Sequence, residues 1–152
     1  MGASDRIPQF DFDNYSGLSS PNWTQIPDEF LDYMAAALSG SEVKVFLYIL
    51  RRTFGFKREA DRITFDQFVD GLQNSDGEYL DYGTGLSRRA VIDATKSLEE
   101  KGLIEVVRGA HVDGGSEVNL YRVRMARGGG GKNCTPPGVQ KLHPPGCKNC
   151  TP

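Results

Sequence analysis

No run of apolar residues in this chain approaches a membrane span. The longest stretches, Val45 to Leu50 among them, fall far short of the roughly 20 residues a bilayer crossing needs. A secretory leader is not expected either, because the N-terminus is acidic and has no apolar core segment. Arg6 stands where a myristoylation signal has Ser or Thr. The expected location is therefore cytoplasmic, with the three cysteines reduced.

Positive charge is not in excess: 18 basic residues face 20 acidic ones, for a net charge of −2. That excludes a protein that is basic all over, so any nucleic-acid footprint must be a local patch. The deficit sits near the start, where Arg6 is set against Asp5, Asp11, Asp13, Asp28, Glu29 and Asp32. Residues 41–127 balance, and the tail adds Lys132, Lys141 and Lys148.

A catalytic constellation is also missing. His111 falls in an expected hairpin tip. Asp61, Asp66 and Asp70 have carboxylate spacing, but no phosphate-cradling loop or paired base goes with them. Gly83-Thr84-Gly85 is too short for a nucleotide loop and reads as cap and turn. Neither an enzyme nor a cofactor is expected.

What is present is an ordinary globular composition, 38% hydrophobic and 25% charged. The length allows one domain of about 100 to 130 residues plus tails. Residues 1–22 read as a flexible arm, 23–127 as the domain, and 128–152 as a tail. That tail opens on Gly128 to Gly131 and continues as octads, G-K-N-C-T-P-P-G, V-Q-K-L-H-P-P-G and C-K-N-C-T-P. Such Pro/Gly repeats pack no core. Cys134, His143, Cys147 and Cys150 have zinc-ligand chemistry, but the repeat explains their spacing more simply and no apolar residues surround them. No metal is expected.

Within the domain, Pro27-Asp28-Glu29 starts a helix with Phe30, Leu31, Met34, Ala35 and Leu38 on its apolar face, ended by Ser39-Gly40. Ser41 then caps a helix from Glu42 to Thr53, apolar on most sides and so central. Its last turn carries Arg51 and Arg52, read either as surface residues complementing the helix dipole or as phosphate contacts. Ile63-Thr64-Phe65 is extended, and Thr64 caps a short helix to Gly71. A loop or small hairpin around Asp76-Gly77 follows.

The decisive stretch is Gly85 to Ile104. Ser87 caps a helix whose buried stripe is Val91, Ala94, Thr95 and Leu98, and Gly102 closes it. The other face carries Arg88, Arg89, Ile92, Asp93 and Lys96. Two arginines in a first turn oppose the helix dipole, which suits an external anion such as a phosphate backbone. Leu103 to Arg108 and Asn119 to Met125 pair around a Gly-rich tip, with Arg108, Arg122 and Arg124 on the hairpin. The fold expected is mainly α with a small β-hairpin (α+β), a winged helix-turn-helix. The candidate DNA-binding residues are Ser87, Arg88, Arg89, Ile92, Lys96, Arg108, Arg122 and Arg124.

The blocks W-T-Q-I-P-D-E-F, L-S-G-S-E-V-K-V-F-L-Y-I-L-R-R-T-F-G-F, R-I-T-F-D-Q-F and G-T-G-L-S-R-R-A-V-I-D-A-T-K-S-L-E-E-K-G-L-I resemble the N-terminal domain of phage-type replication initiators. These are the lambda replication protein O group and the DnaD-like replisome organisers. The resemblance spans roughly Trp23 to Val123. It implies a winged helix that binds origin or other double-stranded DNA, with its recognition helix on Ser87 to Lys101 and its wing on Arg108 to Arg122. It also implies the replicative helicase or its loader as a partner, recruited through a separate C-terminal region. A winged-helix transcriptional regulator, or a winged helix that binds protein instead of DNA, would share the same fold physics.

Overall fold

The protein is seen in a computed structural model that describes residues 9–19, 22–109 and 118–126. The expected hairpin tip with His111, and the glycine and octad tail with Cys134, His143, Cys147 and Cys150, lie outside the described residues.

The first wound segment is not the regular helix that the apolar spacing predicts. Phe30–Met34 forms a π turn and Ala35–Ala37 a 3₁₀ turn. Neither keeps 3.6 residues per turn, yet Met34, Ala35 and Leu38 of the expected apolar face still pack partly buried against the core. Phe30 is buried against Phe46, with ring centroids 4.5 Å apart, whereas Leu31 is 55% exposed.

Ser39 and Gly40 do not end this segment; they begin the next. Ser39 has the extended backbone an N-cap needs, and its hydroxyl accepts from the Glu42 N–H at 3.2 Å. Helix α1 therefore runs Gly40–Arg52, and Ser39, not Ser41, is the cap. Val45, Phe46, Tyr48, Ile49 and Leu50 are all buried, which makes α1 the central helix its composition predicts.

Strand β1 (Ala60–Thr64) leads directly into α2 (Phe65–Asp70). Thr64 and Gln67 form a reciprocal capping box, Thr64 accepting from the Gln67 N–H and Gln67 from the Thr64 N–H. The helix stops at Gly71, whose φ of +92° and close approach to the Asp81 carbonyl exclude a side chain. Residues 72–84 then fold back in an ordered loop. The Leu80 N–H donates to the Leu72 carbonyl at 2.7 Å, and the Thr84 N–H and hydroxyl both donate to the Phe68 carbonyl at 2.8 Å.

Helix α3 (Arg88–Glu100) is followed by β2 (Ile104–Arg108) and β3 (Val118–Val123). The sheet is antiparallel in the order β1-β3-β2, with Arg122 opposite both Ala60 and Glu105. The fold is thus α+β, and the expected hairpin gains β1 as a third strand. Ile63, Ile104, Tyr121 and Val123 turn inward to meet the helices, and Phe68 packs between the rings of Tyr48 and Tyr121 at 5.3 and 5.2 Å.

Candidate nucleic-acid interface

Helix α3 starts where its sequence says it should. The Ser87 hydroxyl accepts from the Ala90 N–H at 3.2 Å. Val91, Ala94, Thr95 and Leu98 are all buried against α1 and α2, and the Thr95 hydroxyl donates to the Ile92 carbonyl. With that stripe seated, the remaining face of α3 is committed to solvent: Arg88, Arg89, Asp93, Lys96 and Glu100 are exposed, and Ile92 is half-buried at its border. Arg88 and Arg89 stand at the N-terminal end of this face, Asp93 and Lys96 in its middle and Glu100 at its C-terminal end.

The cations differ in how far they are occupied. Arg88 donates to Asp66 in the first turn of α2 at 2.6 Å, and its guanidinium lies over the Phe65 ring, 5.6 Å from the centroid. The anion that the opposed dipole calls for is therefore supplied internally, and Arg88 clamps α3 to α2. Arg89 meets Asp93 at 3.4 Å, but its side chain is 87% exposed. Such a surface pair contributes little and yields readily to another anion. Lys96 has no ion pair among the described residues.

The hairpin residues separate into two groups. Arg108 grips Glu99 with both terminal nitrogens, at 3.2 and 2.9 Å, and so ties β2 to α3. Hydrogen bonding from Arg108 holds the Glu99 carboxyl below its usual range, against a smaller opposing effect of burial. Arg122 is exposed on the outer face of the sheet, next to Arg62 on β1. Arg62 was not marked by sequence, because nothing local reveals that β1 pairs with β3. Arg124 lies past the end of β3, and its guanidinium occupies the space beside Gly102 at the C-terminal end of α3. That places it about 20 Å along the helix from Arg88, so the structure does not bring these arginines into one cluster.

Arg52 also corrects the sequence reading, which offered surface or phosphate. It is buried, and it donates through Nε to Asp61 at 2.9 Å, through Nη1 to Tyr48 Oη at 3.3 Å and Gln67 Oε1 at 3.4 Å, and through Nη2 to the Arg62 carbonyl at 3.4 Å. Tyr48 in turn donates to Asp81, at 3.2 and 3.3 Å from its two carboxylate oxygens. Asp81 accepts from the Leu72 and Gly83 N–H groups, at 3.3 and 2.8 Å. Burial pushes the Tyr48 hydroxyl up to about 12, so it remains a donor. One connected network thus joins α1, β1 and α2 to the loop that delivers Ser87. The N-terminal end of α3 is fixed by its own cap, by Asp66 and by this loop. Its C-terminal end is fixed by Lys101, which donates to Glu42 of α1 at 2.7 Å.

The family model for bacteriophage replication protein O matches residues 20–119. The chain belongs to that family. The matched span takes in α1, β1, α2, α3 and β2 and reaches into β3. No curated protein and no solved structure matches the chain. As a replication protein O family member it acts in the initiation of phage DNA replication. Among the described residues, no helix is long and apolar enough to cross a membrane, and no group of His, Cys, Asp or Glu is arranged to hold a metal ion.

Proposed function

We propose that this protein O domain binds double-stranded DNA at a phage replication origin in the manner of a winged helix. The N-terminal half of α3 enters the major groove. Arg89, Lys96 and Ile92 face base edges, and Ser87 and Arg88 lie close to the phosphates. The hairpin, with Arg122 on its outer face and Arg108 tied to α3, follows the backbone; Arg124 is the outlying member of the set. The observation that carries this reading is the solvent-facing stripe of α3. Apart from the Asp66 contact to Arg88 it is exposed, and Arg89 and Lys96 extend from it on either side of Asp93. Bound there in the cytoplasm, the domain would mark the site to which a replicative helicase or its loader is recruited.

The test is duplex binding by the Arg89→Ala, Lys96→Ala double variant, whose side chains support nothing in the core. The expected loss is about 1 to 3 kcal/mol for each base contact. The slope of log K against log salt should change little, since the phosphate contacts of Ser87, Arg88 and the hairpin remain. Wild-type duplex affinity in that variant refutes the assignment. A footprint on repeated sites within an origin, not across a promoter, separates initiation from transcriptional control.

A further inference from the structure

A second cationic surface lies at the far end of β1 from α2. Trp23 is 82% exposed and Phe56 47% exposed. Together with Asn22, Thr24, Arg51 and Gly55 they line an open cleft of about 320 Å³. The Arg51 guanidinium lies over the Phe56 ring, 4.4 Å from its centroid, and that of Arg58 approaches the same ring at 5.7 Å. Lys57, between them in sequence, is exposed. Gly55 makes this approach possible: a Cβ there would stand 2.7 Å from Arg51 Nη1 and 2.9 Å from Thr24 Oγ1. Among the described residues no carboxylate pairs with Arg51, and the Asp61 that meets Arg58 at 3.3 Å is shared with the buried Arg52.

An exposed indole and a half-exposed phenyl ring that already stacks with a guanidinium, beside three cations, match a ligand that offers both a π-face and negative charge. A duplex buries its base faces in the stack, whereas a single strand presents bases and phosphates together. The cleft is at the small end of ligand sites and suits one planar base. We propose that the Trp23–Phe56 cleft binds a base of single-stranded DNA, with Arg51, Lys57 and Arg58 on the flanking phosphates. β1 separates this cleft from the α3 N-terminus by its own length, about 16 Å at the usual strand rise. Ala60 at its near end sits opposite Arg122, and Thr64 at its far end opposite Val118. The cleft and the N-terminal end of α3 therefore lie at opposite ends of β1, while Arg122 stands at the cleft end; this inference rests on the cleft's own residues and does not depend on the duplex reading.

Trp23 is the chain's one tryptophan, so its emission reports on the cleft directly. Titrating the full chain with a twelve-nucleotide oligothymidylate at low salt should quench that emission saturably, and blunt duplex of the same length should not. By anisotropy of a labelled oligonucleotide, Arg51→Ala and Phe56→Ala should each weaken single-strand binding about tenfold or more, the scale of a lost stacking contact. Gly55→Ala, whose Cβ would displace Arg51 Nη1 or Thr24 Oγ1, should act in the same direction. The Arg89→Ala, Lys96→Ala variant should bind the single strand as the parent does. Arg51 is exposed, so its variant keeps the test available should Phe56→Ala impair folding. Absent quenching, equal quenching by duplex, or unchanged affinity in Arg51→Ala would overturn the proposal. So would an emission change driven by protein concentration alone, which would assign the cleft to a second copy of the chain.

Discussion

Replacing Arg52 by alanine removes the residue on which α1, β1 and α2 converge, and the structure allows the cost to be worked out. Deleting one partner of a buried ion pair generally costs about 3 to 5 kcal/mol, because the other charge is left behind in a poor solvent. Here the partners are not wholly abandoned. Asp61 keeps Arg58 at 3.3 Å, the Tyr48 hydroxyl keeps Asp81, and Gln67 keeps the Thr64 N–H at 3.3 Å. The cost therefore falls at the low end, about 3 kcal/mol. At roughly 4 to 8 °C per kcal/mol for a domain of this size, the melting temperature should drop by about 12 to 24 °C. Urea unfolding followed by circular dichroism reads the same change as a lower midpoint at unchanged slope. Arg52→Lys keeps the charge but cannot span Asp61, Tyr48 and Gln67 at once, so it should recover only part of the loss. Pairing Arg52→Ala with Asp61→Ala should cost less than the two single losses summed, since neither charge is then stranded. A single-variant loss under about 1 kcal/mol, the value of an ordinary surface pair, would show that the guanidinium is solvated and that the network does not hold the domain together.

Two further outcomes follow from the same contacts. Asp66→Asn frees Arg88 and removes a carboxylate from beside the proposed groove-facing end of α3; duplex affinity should rise severalfold and the salt slope should steepen by up to about 1, and a decrease would contradict the placement of the DNA. Burial pushes the Glu42 carboxyl up, but hydrogen bonds from Lys101 and Ser39 outweigh it and hold the group below its ordinary 4.5. The stabilisation is therefore present above that value and is lost as pH falls through the lowered one. In urea midpoints measured across pH, the advantage of the parent over Glu42→Gln should be full at neutrality and close in the acid range below 4.5; a gap that does not narrow there would show that the Lys101 pair contributes nothing.

Much of helix α3 was legible because its signals are local. A serine cap, a four-residue buried stripe and a closing glycine lie within one short stretch, and each acts through neighbours three or four positions away. The same holds for Thr64 and Gln67. Where the reading failed, the cause was a backbone conformation that the side-chain pattern does not show, or a contact from elsewhere in the chain. Ser39 and Ser41 both have a cap's chemistry, and the backbone turn entering α1 chose between them. Leu31 lost its expected burial because it lies within a π turn, not a regular helix. The two arginines ending α1 look alike in sequence, yet Arg52 points into a network completed by Asp61, Gln67 and Tyr48, while Arg51 lies outward over Phe56.

By itself, then, the order of residues determined helices α1, α2 and α3, the two hairpin strands and the buried stripe of α3, and its motifs carried the likeness to a phage replication family. The elements follow from periodicity and capping, which are properties of neighbouring residues. The tertiary structure alone decided which cations remain available to a ligand. Arg88 is engaged by Asp66 from α2, Arg108 by Glu99, and Arg52 is withdrawn into the interior, while Arg89, Lys96 and Arg51 stay outside. A charge is neutralised by whatever stands within a few ångströms of it in space, and packing, not sequence distance, brings that partner there.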